Sequence, residues 1–311
     1  RLRYLRRATG QAPPRRRVRL RLLARVAVLA LGVLVLPSRQ SSDATISRPT
    51  PRPRLPVEET PAVWPVEKTE AFETYSNGLR IENRFAVSNR PRNWRPVPLA
   101  PASSVGDPRK DPVGIVFHTT ESHMVSFDPE RTHAISAAGM QLLEYVRSRR
   151  SYHFVIDRFG RVHRVVSEAD AANHAGWSVW ADDRWIYINL NESFLSIAFE
   201  ARHGDPGGAP LVSAAQIRAG RSLTEMLRSR YHIASLNCVT HAQVSVNPGN
   251  FRVGYHTDWA HSLPFAELGL PDNYARPVPS LVLFGFGYDP PLADSAVPGM
   301  AAGLRAAESI V

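Results

Sequence analysis

Between residues 113 and 269, short apolar runs alternate with segments whose apolar residues recur at helical spacing. Gly114–Phe117 is a short apolar strand that ends in His118. Within His133–Arg149, Met140, Leu143 and Val146 fall on one side of a helix. Tyr152–Asp157 and Arg161–Val166 read as two strands around an Arg158-Phe159-Gly160 turn, and Phe194–Glu200 reads as another strand. Ser213-Ala214-Ala215-Gln216 is a capping box, and Ile217, Gly220, Leu223, Leu227 and Tyr231 follow it at helical spacing. Cys238–Thr240 is a last short strand ending in His241. Strands alternating with helices predict an α/β fold, a single domain with a central mixed β-sheet flanked by helices.

The flanks behave differently. Residues 1–25 are studded with arginine, and Val26–Leu36 is an uncharged apolar run of 11 residues. A basic segment before a short apolar core is the pattern of a secretory signal. A stable span needs about 20 apolar residues, so an uncleaved membrane anchor is the second reading of residues 1–40. Residues 41–69 are polar and proline-rich, which predicts an extended linker. Within 70–111, Glu70–Tyr75 and Leu79–Val87 read as a hairpin turned at Ser76-Asn77-Gly78, a strand extension ahead of the main domain at 112–271. The proline-, alanine- and glycine-rich tail, 272–311, is expected to be peripheral.

Charge changes the picture only once it is located. The 311 residues carry a formal net charge of +10, but residues 1–40 hold 11 of the 38 basic residues and no acidic ones. The remainder has 27 basic against 28 acidic residues, a net charge of −1, which argues against a nucleic-acid groove on the folded part. Contact with a membrane is expected only through the N-terminal segment. Cys238 is the single cysteine, so an internal disulfide and a cysteine-cluster metal site are excluded.

The candidate chemistry lies in the histidines. His118 and His241 each follow a short apolar strand, where a side chain can emerge at the sheet edge into a cleft. Asp258 lies 17 residues after His241. Two neutral imidazoles and a carboxylate are a common set for catalytic zinc, with a fourth position for water. Taken singly, each would read as a surface histidine or a turn aspartate. Other hydrolytic machinery is missing: there is no Gly-x-Ser-x-Gly elbow, no His-Glu-x-x-His and no phosphate-binding Gly-x-x-x-x-Gly-Lys loop. Cys238 sits inside an apparently buried strand, which disfavours it as a nucleophile.

The segments GIVFHTT (114–120), SYHFVIDRFGRVHRV (151–165), NHAGWS (173–178), SIAFEAR (196–202) and VTHAQVS (239–245) occur in one order. This order resembles the zinc-dependent N-acetylmuramoyl-L-alanine amidase family, whose fold is shared with the peptidoglycan recognition proteins. The resemblance covers about half of the 311 residues. It implies zinc ligation by His118, His241 and a downstream aspartate or cysteine, here Asp258. It also implies an active-site role for Tyr152 and a catalytic base at Glu200. Two residues before the third ligand, where catalytic members often carry an oxyanion-steadying lysine, stands His256. His174 and Trp177 resemble cleft-wall residues that contact glycan or stem peptide.

Two features depart from the family. A longer insert containing Asn247-Pro248-Gly249 precedes the third ligand, and the usual Asp-Pro-Gly has become Asp258-Trp259-Ala260. They leave His256 as a rival ligand, with Asp258 preferred because it keeps the two-residue offset. By the period of two, His153 is expected to point away from Tyr152. Trp180 is expected in the core, and His123, His133, His163, His203, His232 and His261 at the surface or in loops. Glu200 has a structural alternative, an ion pair with Arg202 or Arg164. The function implied is zinc-dependent hydrolysis of the amide between N-acetylmuramic acid and L-alanine in peptidoglycan, by an exported enzyme acting on murein or muropeptides. The alternative is a non-catalytic peptidoglycan-binding module of the same fold.

Overall fold

Two central strands buried at every position require cover on both faces of the sheet. In a computed structural model, which describes residues 60–98, 105–202, 212–247, 252–254, 256–260 and 262–275, the elements follow in chain order. They begin with strands β1 (Pro65–Lys68), β2 (Phe72–Tyr75), β3 (Arg80–Glu82), β4 (Val97–Pro98) and β5 (Gly114–Thr119), then helix α1 (Thr132–Arg149). Next come β6 (Phe154–Ile156), β7 (Val162–Arg164), β8 (Val179–Ala181), β9 (Trp185–Ile188) and the single turn α2 (Leu190–Ser193). The series closes with β10 (Phe194–Phe199), α3 (Ala214–Tyr231), β11 (Cys238–Thr240), β12 (Val246–Asn247) and β13 (Arg252–Val253). The expected signal or anchor, the linker up to residue 59, and the tail beyond residue 275 lie outside the described residues.

Eight strands form one mixed sheet in the order β1-β2-β3-β7-β6-β10-β5-β11. Ile115 and Phe117 of β5, with Leu195, Ile197 and Phe199 of β10, face α3 in one apolar cluster. The alternate residues face the other way. Val116 and Val239 pack with Phe194 against Trp180 and Tyr187. Ala198 packs with Val155 and Val165 against Leu143 and Val146 of α1. Burying an apolar side chain of this size contributes about 1.5–3 kcal/mol relative to exposure. Helix α3 opens as expected, with Ser213 and Gln216 exchanging side-chain and backbone bonds in a capping box. At Gly220 a Cβ would stand 2.7 Å from the Phe199 ring, so the glycine lets α3 lie close on the sheet.

Several sequence expectations shift. The proline-rich linker ends earlier than residue 69, because Pro65–Lys68 already forms the edge strand β1. The hairpin at Ser76-Asn77-Gly78 forms, with Gly78 at φ 81°, but its second arm ends at Glu82. Its strand β3 runs parallel to β7, so the hairpin extends the main sheet. The tail is pinned where it begins: Asn273 donates to the carbonyl of Cys238 at 2.7 Å, and the Tyr274 and Thr240 hydroxyls lie 2.7 Å apart. The small sheet β4-β9-β8 was not anticipated, since strands of two to four residues leave little periodicity to read. No described helix is long and apolar enough to cross a membrane.

Candidate metal centre

Register alone brings the two histidines together. β11 runs parallel to β5 with Val239 opposite Val116 and Thr240 opposite Phe117. Val116 and Val239 share a face, so His118 and His241, each two residues on, emerge on that face side by side. The His241 amide continues the ladder by donating to the Phe117 carbonyl, and the two rings lie 4.3 Å apart. His118 belongs to the strand itself rather than following it.

Asp258 arrives from a distant loop, and its neighbour explains how. Trp259 is buried against Phe199, adopts a left-handed φ of 64°, and donates its indole N–H to the His118 carbonyl at 2.9 Å. The residue that departs from the family pattern is thus the lock that fixes Asp258 beneath β5. The Asp258 carboxylate lies 3.3 Å from His118 Nδ1 and 2.9 Å from His241 Nδ1. Ligand atoms of His118, His241 and Asp258 all lie within 4.8 Å of one another, and all three residues are buried. Burial, with the neighbouring His241, lowers the His118 pKa to about 4, so its imidazole is neutral. Burial alone would push the Asp258 carboxyl up, but His241 and His118 hold it well below the usual range. Two imidazoles and an ionised carboxylate from one buried corner fit zinc, which takes nitrogen and oxygen ligands at about 2.0–2.2 Å. His241 Nε2 is buried without a partner among the described residues, so its Nδ1 is the nitrogen aimed at the cluster.

The rival ligand falls elsewhere. His256 is exposed and stacks on His241, with ring centroids 3.9 Å apart and planes at 20°. Of its insert, the described strands β12 and β13 pair antiparallel, Val246 with Val253 and Asn247 with Arg252. Tyr152 has its ring 5.0 Å from that of His118, and burial followed by the charge of Asp258 raises its hydroxyl pKa, keeping it a donor. Glu200 follows β10, where Ala198 pairs with His118, so its side chain emerges on the His118 face one residue pair farther on. There its carboxylate lies against Gly139 of α1 and accepts the Arg158 amide at 3.2 Å. Arg164 pairs instead with Glu73 and Glu168, so the Arg164 ion pair considered for Glu200 is not formed. Burial raises the Glu200 pKa.

Trp177 is 64% exposed, whereas Trp180 is buried and donates to Asn237, as expected. His174 is half-buried, its Nδ1 3.2 Å from His118 Nε2. Two expectations are overturned. His153 does not point away from Tyr152: its ring lies 5.8 Å from His174, because Tyr152 takes a φ of 59° and breaks the alternation. His163 is a buried strand residue, with Nε2 3.2 Å from Asp157, not a surface histidine. His123, His133 and His232 are exposed, while His203 and His261 lie outside the described residues. Sequence reasoning also missed Arg92, fully buried and donating to the carbonyls of Glu168, Glu192 and Phe194 beside His153.

Residues 108–257 match the family model described as N-acetylmuramoyl-L-alanine amidase. This stretch belongs to the N-acetylmuramoyl-L-alanine amidase family. The match stops one residue short of Asp258, which the amidase domain recruits through Trp259. Among solved structures, the domain is similar to the amidase AmiD from E. coli in complex with anhydro-N-acetylmuramic acid-L-Ala-D-gamma-Glu-L-Lys. That likeness has 19% identity and a TM-score of 0.41, covering 77% of this chain and 88% of that one. AmpDh3 from Pseudomonas aeruginosa, in complex with anhydromuramic pentapeptide, gives 20% identity and a TM-score of 0.40 over 67% and 86% of the chains. The drosophila peptidoglycan recognition protein SD gives 15% and 0.33 over 60% and 89%. No curated protein matches the chain.

Proposed function

We propose that this amidase domain is a zinc-dependent N-acetylmuramoyl-L-alanine amidase that cleaves the bond between the lactyl group of N-acetylmuramic acid and L-alanine in peptidoglycan. The observation that carries the reading is the convergence of His118, His241 and Asp258 in one buried corner beside a stretch of the amidase family. These three residues would hold the metal. Zinc in such a site supplies Lewis acidity that makes water nucleophilic at neutral pH.

The chain's own residues do the rest. Glu200, its pKa raised by burial, takes the proton of the attacking water and delivers it to the departing amine. The Tyr152 hydroxyl, kept protonated, donates to the oxygen on which charge develops, an effect worth about 3 kcal/mol per donor. His256, exposed and stacked on His241, would donate to the same oxygen from the solvent side. The exposed Trp177 indole offers a flat apolar surface to sugar or peptide. Export is part of the proposal: murein lies outside the cytoplasmic membrane, and the basic then apolar pattern of residues 1–40 is that of a secretory address.

Incubation of the purified protein with murein should release stem peptides, and chelation should abolish the release. Release that persists after zinc is stripped would defeat the reading. Murein binding without release, before and after zinc loading, would favour the recognition module instead.

A further inference from the structure

A histidine that binds a metal through one nitrogen must dispose of a proton on the other. His118 turns Nδ1 towards Asp258, at 3.3 Å. For that atom to offer a lone pair, the neutral ring must carry its proton on Nε2. His118 is 1% exposed, so this N–H needs a protein acceptor. The atom standing 3.2 Å away is His174 Nδ1.

We propose that His174 is a positioning residue for His118: its Nδ1 accepts the His118 Nε2–H, fixing the tautomer and ring direction that leave His118 Nδ1 free for zinc. This role rests on the metal reading above and differs from the substrate contact that the sequence suggested for His174. The surroundings hold His174 for such a task. The backbone amides of His174, Ala175 and Gly176 all donate to one atom, Asn191 Oδ1, at 2.8–2.9 Å. Asn191 sits in α2, directly before β10, so the loop is tied to the sheet that carries the site. Behind His174, the His153 ring packs edge-on at 5.8 Å and is itself bonded to Ser196 and the Asp170 carbonyl. If His174 Nδ1 accepts, its own proton sits on Nε2, which is buried with no partner among the described residues. Partners of this kind set ligand tautomer and basicity in metal sites, and their loss typically lowers metal affinity about 10–100-fold.

The test is zinc affinity of the full chain, measured by competition with a chromophoric chelator, for wild type and three variants. His174→Ala and His174→Phe should each weaken zinc binding about 10–100-fold. His174→Asn, whose Oδ1 can stand where Nδ1 stood, should recover most of the loss. Phe keeps the ring volume, so a packing role would leave Phe near wild type and Asn impaired, which overturns the inference. Unchanged affinity in His174→Ala, with murein affinity lowered instead, also overturns it and restores the substrate contact. If the alanine variant does not fold, the comparison of Asn with Phe decides alone. A wild-type chain that binds no zinc defeats the functional reading as well, so the two failures are told apart.

Discussion

Glu200 has two constraints that act in opposite directions on one carboxylate. Burial destabilises its charge, while the Arg158 amide stabilises it, and burial wins. A base must be ionised to act, so the acid limb of the rate profile should lie above the ordinary carboxylate range. Glu200→Gln removes the proton carrier without removing the hydrogen-bond acceptor for Arg158. We expect turnover of murein to fall about 10²–10⁴-fold with affinity retained, and the acid limb to vanish. Steady-state kinetics across pH would show this; an acid limb that survives in the variant would assign the base elsewhere. At this scale the sequence was readable where a side chain stands at the end of a short apolar strand, as at His118 and His241. It was not readable at Tyr152 and His153, where a left-handed φ turns both rings to one side. The burial of His163 and Arg92 depends on neighbours remote in sequence, which no local pattern reports.

Among the elements, the β2–β3 hairpin depends on charge as well as on packing. Glu73 of β2 is nearly buried and meets Arg164 of β7 at 2.9 Å, the Tyr75 hydroxyl at 2.6 Å and Lys68 of β1 at 3.1 Å. Arg164 also binds Glu168 at 2.8 Å and the Asn83 carboxamide at 2.5 Å. Burial alone would raise the Glu73 pKa, but Arg164 and Tyr75 outweigh it and lower the value from 4.5 to about 2. A folded pKa below the unfolded one gives stability that is present above pH 4.5 and lost as pH falls towards 2. The full shift corresponds to about 3 kcal/mol near neutrality, and solvent screening on the exposed Lys68 side reduces it to about 2 kcal/mol. Urea unfolding of Glu73→Gln should show that deficit at pH 7 and a shrinking one between pH 4.5 and 2. An equal deficit at both ends would mean that the ion cluster does not hold the hairpin. The hairpin itself was legible from Ser76-Asn77-Gly78; its parallel docking on β7 was not, because strand pairing over this separation carries no local signal.

For the whole molecule, the ordered motifs were enough to propose the α/β sheet and the candidate metal set His118, His241 and Asp258, with His256 left as a rival to Asp258. Parallel neighbours β5 and β11 convert two remote histidines into adjacent ones, a pairing that no local sequence pattern reports. The choice between Asp258 and His256 needed tertiary structure: Trp259 fills the α3-side core and bonds β5, and Asp258, not His256, completes the cluster with the two histidines. The decisive measurement is therefore metal content of the purified full chain, repeated after Asp258→Ala and, separately, His256→Ala. The account predicts about one zinc per chain in wild type, retention in His256→Ala and loss in Asp258→Ala. Zinc kept without Asp258, or lost only with His256, would contradict it.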